Sequence, residues 1–186
     1  MITDINGVPT PKVIGLQKSA SSLNWALYKS TGWETNFTNI VCTPSEKFEG
    51  AALTATFTGD TDGSDNWSEI CAVEPRGTAD AATNYPAFNF ANTYGTTAGL
   101  TGTDYENYWY IPSIAELCEV YKNKDVIQTS LTKASGFYFG SDSYWSSSQY
   151  ASDCFVYQVY FDDGYVDDGN KGSSSNVFVL RALTVK

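Results

Sequence analysis

Residues 144–183 read YWSSSQYASDCFVYQVYFDDGYVDDGNKGSSSNVFVLRAL. From Val156 to Phe161 the chain alternates: Tyr157, Val159 and Phe161 would point to one face and Gln158, Tyr160 and Asp162 to the other. Period two marks a half-buried strand. Asp163-Gly164 lies between two strand patterns and reads as a hairpin turn. Val177 to Leu183 is apolar on both faces, which suits a central strand. Between these apolar positions stand Asp153, Phe155, Gln158, Tyr160, Asp162, Tyr165, Asp167, Asp168, Gly169, Asn170, Gly172, Ser173, Ser174 and Asn176. Tyr, Ser, Asp, Asn and Gly on a stiff frame is the composition of a contact surface such as an antibody paratope, not of a catalytic pocket.

The chain has 186 residues, 42% apolar and 17% charged, enough for one domain with a sizeable core. Recurrent Gly and Ser turn signals favour short strands and long loops over a helical bundle. The net charge of −10, without a basic cluster, argues against nucleic acid and anionic membrane as partners. No run has the roughly eighteen apolar residues of a transmembrane helix. The opening MITDINGVPTPK has neither a basic nor an apolar signal-peptide region. It suits a cytoplasmic protein, or equally the C-terminal part of an exported one.

There is no His, which excludes Ser-His-Asp and Cys-His catalysis. Cys42, Cys71, Cys118 and Cys154 form no CxxC pair, so a zinc site is not expected. In an exported protein a Cys42–Cys71 disulfide is an open alternative.

Residues 1–20 read as an extended lead-in, and Ser22–Ser30 as a strand or a short turn of helix. Ile40–Thr43 and Ala51–Thr58 read as strands, the second with Leu53, Ala55 and Phe57 on one face. Residues 59–66, GDTDGSDN, read as a loop. Tyr85–Tyr94 suits a helix with Pro86 in its first turn and Gly95 as its C-cap. In YWYIPSIAELCEVYKNKD, Ser113 and Glu116 form a capping box, and Ile114, Leu117, Cys118 and Tyr121 share a buried face. Asp125–Lys133 reads as a second helix.

Three pieces together, WYIPSIAELCEVYKN (109–123), YWSSSQY (144–150) and VLRAL (179–183), resemble the C-type lectin fold in the branch shared with formylglycine-generating enzymes. Within it the chain is similar to Treponema variable proteins, the targets of diversity-generating retroelements. DTDGSDNWSEIC and NYPAFNFANTYG look typical of the same group, and the likeness spans roughly residues 50–183. It implies a single α+β domain with two main helices and short twisted antiparallel sheets. It also implies a C-terminal segment rewritten by error-prone reverse transcription at template adenines. The fourteen interleaved residues above would then form the ligand face, while Trp145, Tyr157, Val159, Phe161, Val166, Leu180 and Ala182 form the skeleton. By the same likeness the protein is a surface lipoprotein that binds a macromolecule, a protein on a host or neighbouring cell. It would touch the membrane only through a lipid anchor absent from this sequence, and would need no cofactor or metal.

Other readings of the same residues stand beside this one. Phe155, Tyr160 and Tyr165 also suit the core of a sheet covered on both sides. Asp162, Asp163, Asp167 and Asp168 offer oxygen ligands to calcium, but without EF-hand spacing they read as solvated turn residues. Glu74-Pro75-Arg76 fails at its third residue to match the Glu-Pro-Asn loop of calcium lectins. A formylglycine-generating activity needs paired redox cysteines, and Cys154 has no near neighbour in sequence. Arg181 is expected to bind a buried carboxylate or carbonyls, and Ser146, Ser147 and Ser148 to satisfy backbone groups. An invariant structural domain of a larger surface protein is the third alternative.

Overall fold

The strongest local signal forms as the sequence dictates. In the computed structural model, which describes residues 2–3 and 9–183, the Ser113 side chain accepts from Glu116 N, and Glu116 accepts from Ser113 N, at the head of a helix over Ile114–Lys122. Ile114, Leu117, Cys118 and Tyr121 are buried on it.

The chain is a mixture of helices and short antiparallel sheets. In order come β1 (Ile2–Thr3), β2 (Pro9–Thr10), β3 (Lys12–Ile14), β4 (Leu23–Asn24), α1 (Thr31–Glu34), β5 (Cys42–Pro44), α2 (Ala51–Thr54) and β6 (Phe57–Gly59). Then follow α3 (Asn66–Val73), α4 (Pro75–Thr78), α5 (Ala81–Asn84), α6 (Pro86–Thr97), α7 (Ile114–Lys122) and α8 (Lys124–Lys133). The C-terminal strands are β7 (Ser143–Gln149), β8 (Phe155–Tyr160), β9 (Val166–Asn170), β10 (Ser174–Ser175) and β11 (Leu180–Ala182). Strands β7, β8 and β9 form a three-stranded sheet; β1 pairs with β2, β3 with β11, β4 with β10 and β5 with β6. The β3–β11 pair ties the N-terminal part to the C-terminal part, with Val13 opposite Arg181.

The three-stranded sheet has a hydrophobic core on each side. Tyr144, Tyr157, Val159 and Val166 pack with α7, Leu131 of α8, Phe139 and Phe178. Trp145 and Val156 pack with Trp25, Phe37, α6, Val177 and Val179. Each buried large side chain contributes roughly 1.5–3 kcal/mol, so the sheet's backbone is set from both sides.

Several sequence expectations are corrected. Ala51–Thr58 is not one strand: Ala51–Thr54 is a helical turn that buries Ala51, Ala52 and Ala55 and leaves Leu53 54% exposed. Alanine's helix propensity and burial one turn apart outweigh the apparent alternation. Gly95 is not a C-cap but lies inside α6, which runs on to Thr97. A Cβ there would stand 1.7 Å from the Glu106 carbonyl oxygen, so glycine is required for the close approach of a loop. Among the described residues four helices reach eight residues or more: the three read from the sequence, where the family likeness implied two main ones, and α3, which the sequence did not reveal. Only Leu180–Ala182 of the expected Val177–Leu183 strand is in a ladder, although Val177, Phe178 and Val179 are buried. Ser22–Ser30 yields only the two-residue β4, and the Ile40–Thr43 strand is displaced to Cys42–Pro44 behind a 3₁₀ turn. Of the extended lead-in, residues 1 and 4–8 lie outside the described residues.

Other expectations hold. Asp163-Gly164 lies in the turn between β8 and β9, with Gly164 at φ 75°. Arg181 donates to the carbonyls of Asn107 at 2.9 Å and Asp104 at 2.5 Å. Ser146 Oγ donates to Tyr157 O at 2.8 Å and Ser148 Oγ accepts from Ile114 N at 2.9 Å, both backbone groups as expected, whereas Ser147 Oγ accepts from the Asn66 side chain, Nδ2, at 2.8 Å. All four cysteines are free thiols, so Cys42 and Cys71 are not joined. No helix among the described residues is long and apolar enough to cross a membrane.

Candidate functional site

Strand register assigns the candidate contact residues to two faces. Side chains two apart share a face, and so do cross-strand partners. Gln158 stands opposite Trp145 on β7 and Asp167 on β9; Val156 stands opposite Gly169. Gln158, Tyr160, Tyr165, Asp167 and Gly169 therefore lie on the Trp145 side. Phe155, Asp168 and Asn170 fall on the Tyr157–Val159–Val166 side, because Tyr157 pairs with Asp168 and Phe155 with Asn170.

On the Trp145 side a polar-aromatic cluster forms at the outer end of the sheet. The rings of Tyr160 and Tyr165 meet edge to face at 6.3 Å. Gln158 is mostly buried, and its Nε2 lies 3.4 Å from the Tyr160 hydroxyl and 3.5 Å from Asp167 Oδ2. Burial, then the carboxylates of Asp167, Asp162 and Asp163, push the Tyr160 phenol above its usual pKa. Asp162 is exposed, and the Asp163 carboxylate accepts from Tyr165 N at 2.8 Å, which shapes the turn. Towards the middle of the sheet the same face closes. A Cβ on Gly169 would come within 2.6 Å of the Trp145 ring, so Gly169 contributes backbone and not a side chain.

On the other face Asp168 pairs with Lys47, whose ammonium also lies over the Tyr150 ring at 4.6 Å. Phe155 is 36% exposed at the start of β8, next to the exposed Asp153 in the preceding turn. Gln149 Nε2 holds that turn, donating to the carbonyls of Ser152 and Phe155.

The turn after β9 is anchored from beneath. Lys171 is fully buried and donates to the carbonyls of Gly32 at 3.3 Å and Thr35 at 2.6 Å. Its ammonium sits over the rings of Trp25 at 5.0 Å and Phe37 at 4.8 Å. Burial pushes its pKa down to about 7. Asn170 Oδ1 accepts from Trp33 Nε1 at 2.7 Å and from Gly172 N at 2.9 Å. With these groups fixed, Ser173 and Ser174 face solvent. Asn24 Nδ2 donates to the Gly172 and Ser173 carbonyls, and Asn176 bridges β7 at Tyr144.

The surface at this turn continues onto residues the sequence did not single out. Tyr28, 56% exposed, meets Trp33 edge to face at 5.1 Å, and its Cβ region packs against Gly172. Lys171 was equally hidden, since a lysine in a Gly/Ser turn reads as solvated. Neither gave a sequence signal, because each depends on a contact more than a hundred residues away.

Of the expected skeleton, Trp145, Tyr157, Val159, Phe161, Val166 and Leu180 are buried, and Ala182 is half-buried. Burial pushes the Cys42 and Cys118 thiols up to about 12. Among the described residues no group of three or more acidic or cysteine side chains is placed to hold a metal ion.

No protein-family model matches the chain, and no curated protein matches it.

Proposed function

We propose that this is a ligand-binding domain of C-type lectin fold, in the formylglycine-generating-enzyme-like branch, whose C-terminal face is diversified by a retroelement and displayed at the cell surface. The mixed architecture of helices and short antiparallel sheets supports the fold. One observation carries the function: residues 153–176 divide into side chains that hold the backbone and side chains that do not. Val156, Tyr157, Val159, Val166 and Lys171 are buried, and Gly169 is sterically fixed. Asp153, Phe155, Asp162, Ser173 and Ser174 are exposed, and Tyr160, Tyr165 and Asp167 are half-exposed. The second set is free to change without loosening the first, which a recognition surface of changing specificity requires. Tyrosines there supply large contact area with few rotatable bonds. Gln158, Asp168, Gly169, Asn170, Gly172 and Asn176 shape the surface from within it or beneath it.

A formylglycine-generating activity is less well supported, since Cys118 is a buried thiol with a pKa pushed up to about 12 and no thiolate forms there at neutral pH. The test is a library that randomises positions 153, 160, 162, 165, 167, 173 and 174 together. The proposal expects most members to keep the parental melting temperature, and selection against an unrelated protein to yield binders. Widespread unfolding, or no binder from a folded library, would count against it.

A further inference from the structure

A second concavity lies away from residues 153–176. It encloses about 490 Å³ between α3, α6, the loop over residues 98–113 and the end of β11. That volume is within the range of small-ligand sites, about 300–1,000 Å³. Its walls are aromatic and amide-bearing: Trp67, Trp109 and Tyr108 with Asn92, Asn107 and Ser68.

The rings are held in place. Trp67 stacks on Phe88 at 5.1 Å and 20°. Trp109 leans on Tyr94 at 4.7 Å, and its Nε1 donates to Tyr105 O at 2.7 Å. The loop that carries Trp109 is clamped by Arg181 on the carbonyls of Asn107 and Asp104, and by Gly102 N on Glu106 Oε2 at 2.8 Å. This clamp holds Tyr108 at φ 71° with 84% of its surface exposed. A tyrosine in the left-handed region costs on the order of 1 kcal/mol, and its ring gains no burial in return. The side chains of Asn92, Asn107 and Ser68 make no hydrogen bond with the described residues, so their donors and acceptors are uncommitted.

We propose that this cleft binds a neutral oligosaccharide. Sugar rings present an apolar C–H face that lies against indole and phenol rings, and a rim of hydroxyls that both donate and accept. Amides and hydroxyls meet both needs. The one charged side chain lining the cleft is the carboxylate of Glu106, and no Lys or Arg lines it among the described residues. With a net charge of −10, this disfavours phosphorylated, sulfated and uronic ligands. The site is independent of the C-terminal face, since none of its lining residues falls within 153–176.

The test is an NMR titration of the ¹⁵N-labelled protein with cellotriose, maltotriose, mannotriose and triacetylchitotriose, following the five tryptophan indole resonances. At least one of these sugars should shift Trp67 and Trp109 saturably and leave Trp25 and Trp145 in place. Asn92→Ala combined with Asn107→Ala should weaken that binding about tenfold, two hydrogen bonds being lost. Tyr108→Gly should raise the melting temperature and weaken binding together, since it relieves the backbone and removes a ring. No shift by any of the four at about 10 mM, a range already far weaker than ordinary ligand sites, would overturn the proposal. So would shifts centred on other tryptophans, or unchanged affinity in folded variants. The wild-type shift map stands by itself if a variant does not fold.

Discussion

Replacing Lys171 with Met should change how stability depends on pH, in a direction fixed by burial. The native ammonium has no solvent exposure, and its pKa falls from 10.5 to about 7. A lysine whose folded pKa lies below its unfolded one binds fewer protons in the native state. Native stability therefore rises with pH through that interval. Each pH unit is worth about 1.4 kcal/mol, so carrying the charge costs at most about 5 kcal/mol below neutral pH. Between about pH 6 and about pH 9 the wild type should gain about 2.5 kcal/mol from this residue. Met keeps much of the apolar stem, loses the hydrogen bonds to Gly32 and Thr35, and has no proton to exchange. Buried tyrosines and cysteines whose pKa values are raised act oppositely near the alkaline end, but they are common to both proteins and cancel in the difference. Asp153 and Cys154 are the nearby groups that raise the Lys171 pKa, and they too are unchanged. Urea unfolding followed by tryptophan fluorescence at several pH values measures that difference. The two stabilities should converge, or cross in favour of the wild type, as pH rises. Parallel pH profiles would refute the account of Lys171 as a buried, depressed-pKa anchor.

Other perturbations test the frame around it. Lys12→Met leaves the fully buried Glu116 carboxylate without its ammonium partner and should cost about 3–5 kcal/mol in urea unfolding. Gly169→Ala forces a methyl group towards the Trp145 ring and should cost about 1–3 kcal/mol. Ser173→Ala, three residues from Lys171's neighbour Asn170, should stay within about 0.5 kcal/mol of wild type. In a native thiol titration Cys71 and Cys154, both half-exposed, should react, while Cys42 and Cys118 should wait for denaturant.

Local signals in the sequence reached as far as local physics does. The capping box at Ser113 and Glu116 and the turn at Asp163-Gly164 depend on neighbours within a few residues, and both form. Long-range approach defeated the sequence at Gly95, which looked like a helix end because the Glu106 carbonyl that demands glycine lies in a later loop. The same holds for the candidate face. Alternation identified Tyr157 and Val159 as core and Tyr160 as outward, but Gln158 is nearly buried because Trp145 and Asp167 flank it. Phe155 shares the parity of Tyr157, and its exposure comes from its place at the strand's end. Lys171 could not be read at all, since its cage of Trp25, Phe37 and two carbonyls assembles only on folding.

The central claim is that the exposed half of one segment changes while its buried half does not. Sequencing this locus with its flanking DNA across independent isolates tests that most directly. The account predicts substitutions gathered at codons 153, 155, 160, 162, 165, 167, 173 and 174 and matched to adenines in an adjacent template copy. The codons for Val156, Tyr157, Val159, Val166, Gly169 and Lys171 should stay constant. Substitutions spread evenly along the gene, with no template copy nearby, would contradict it.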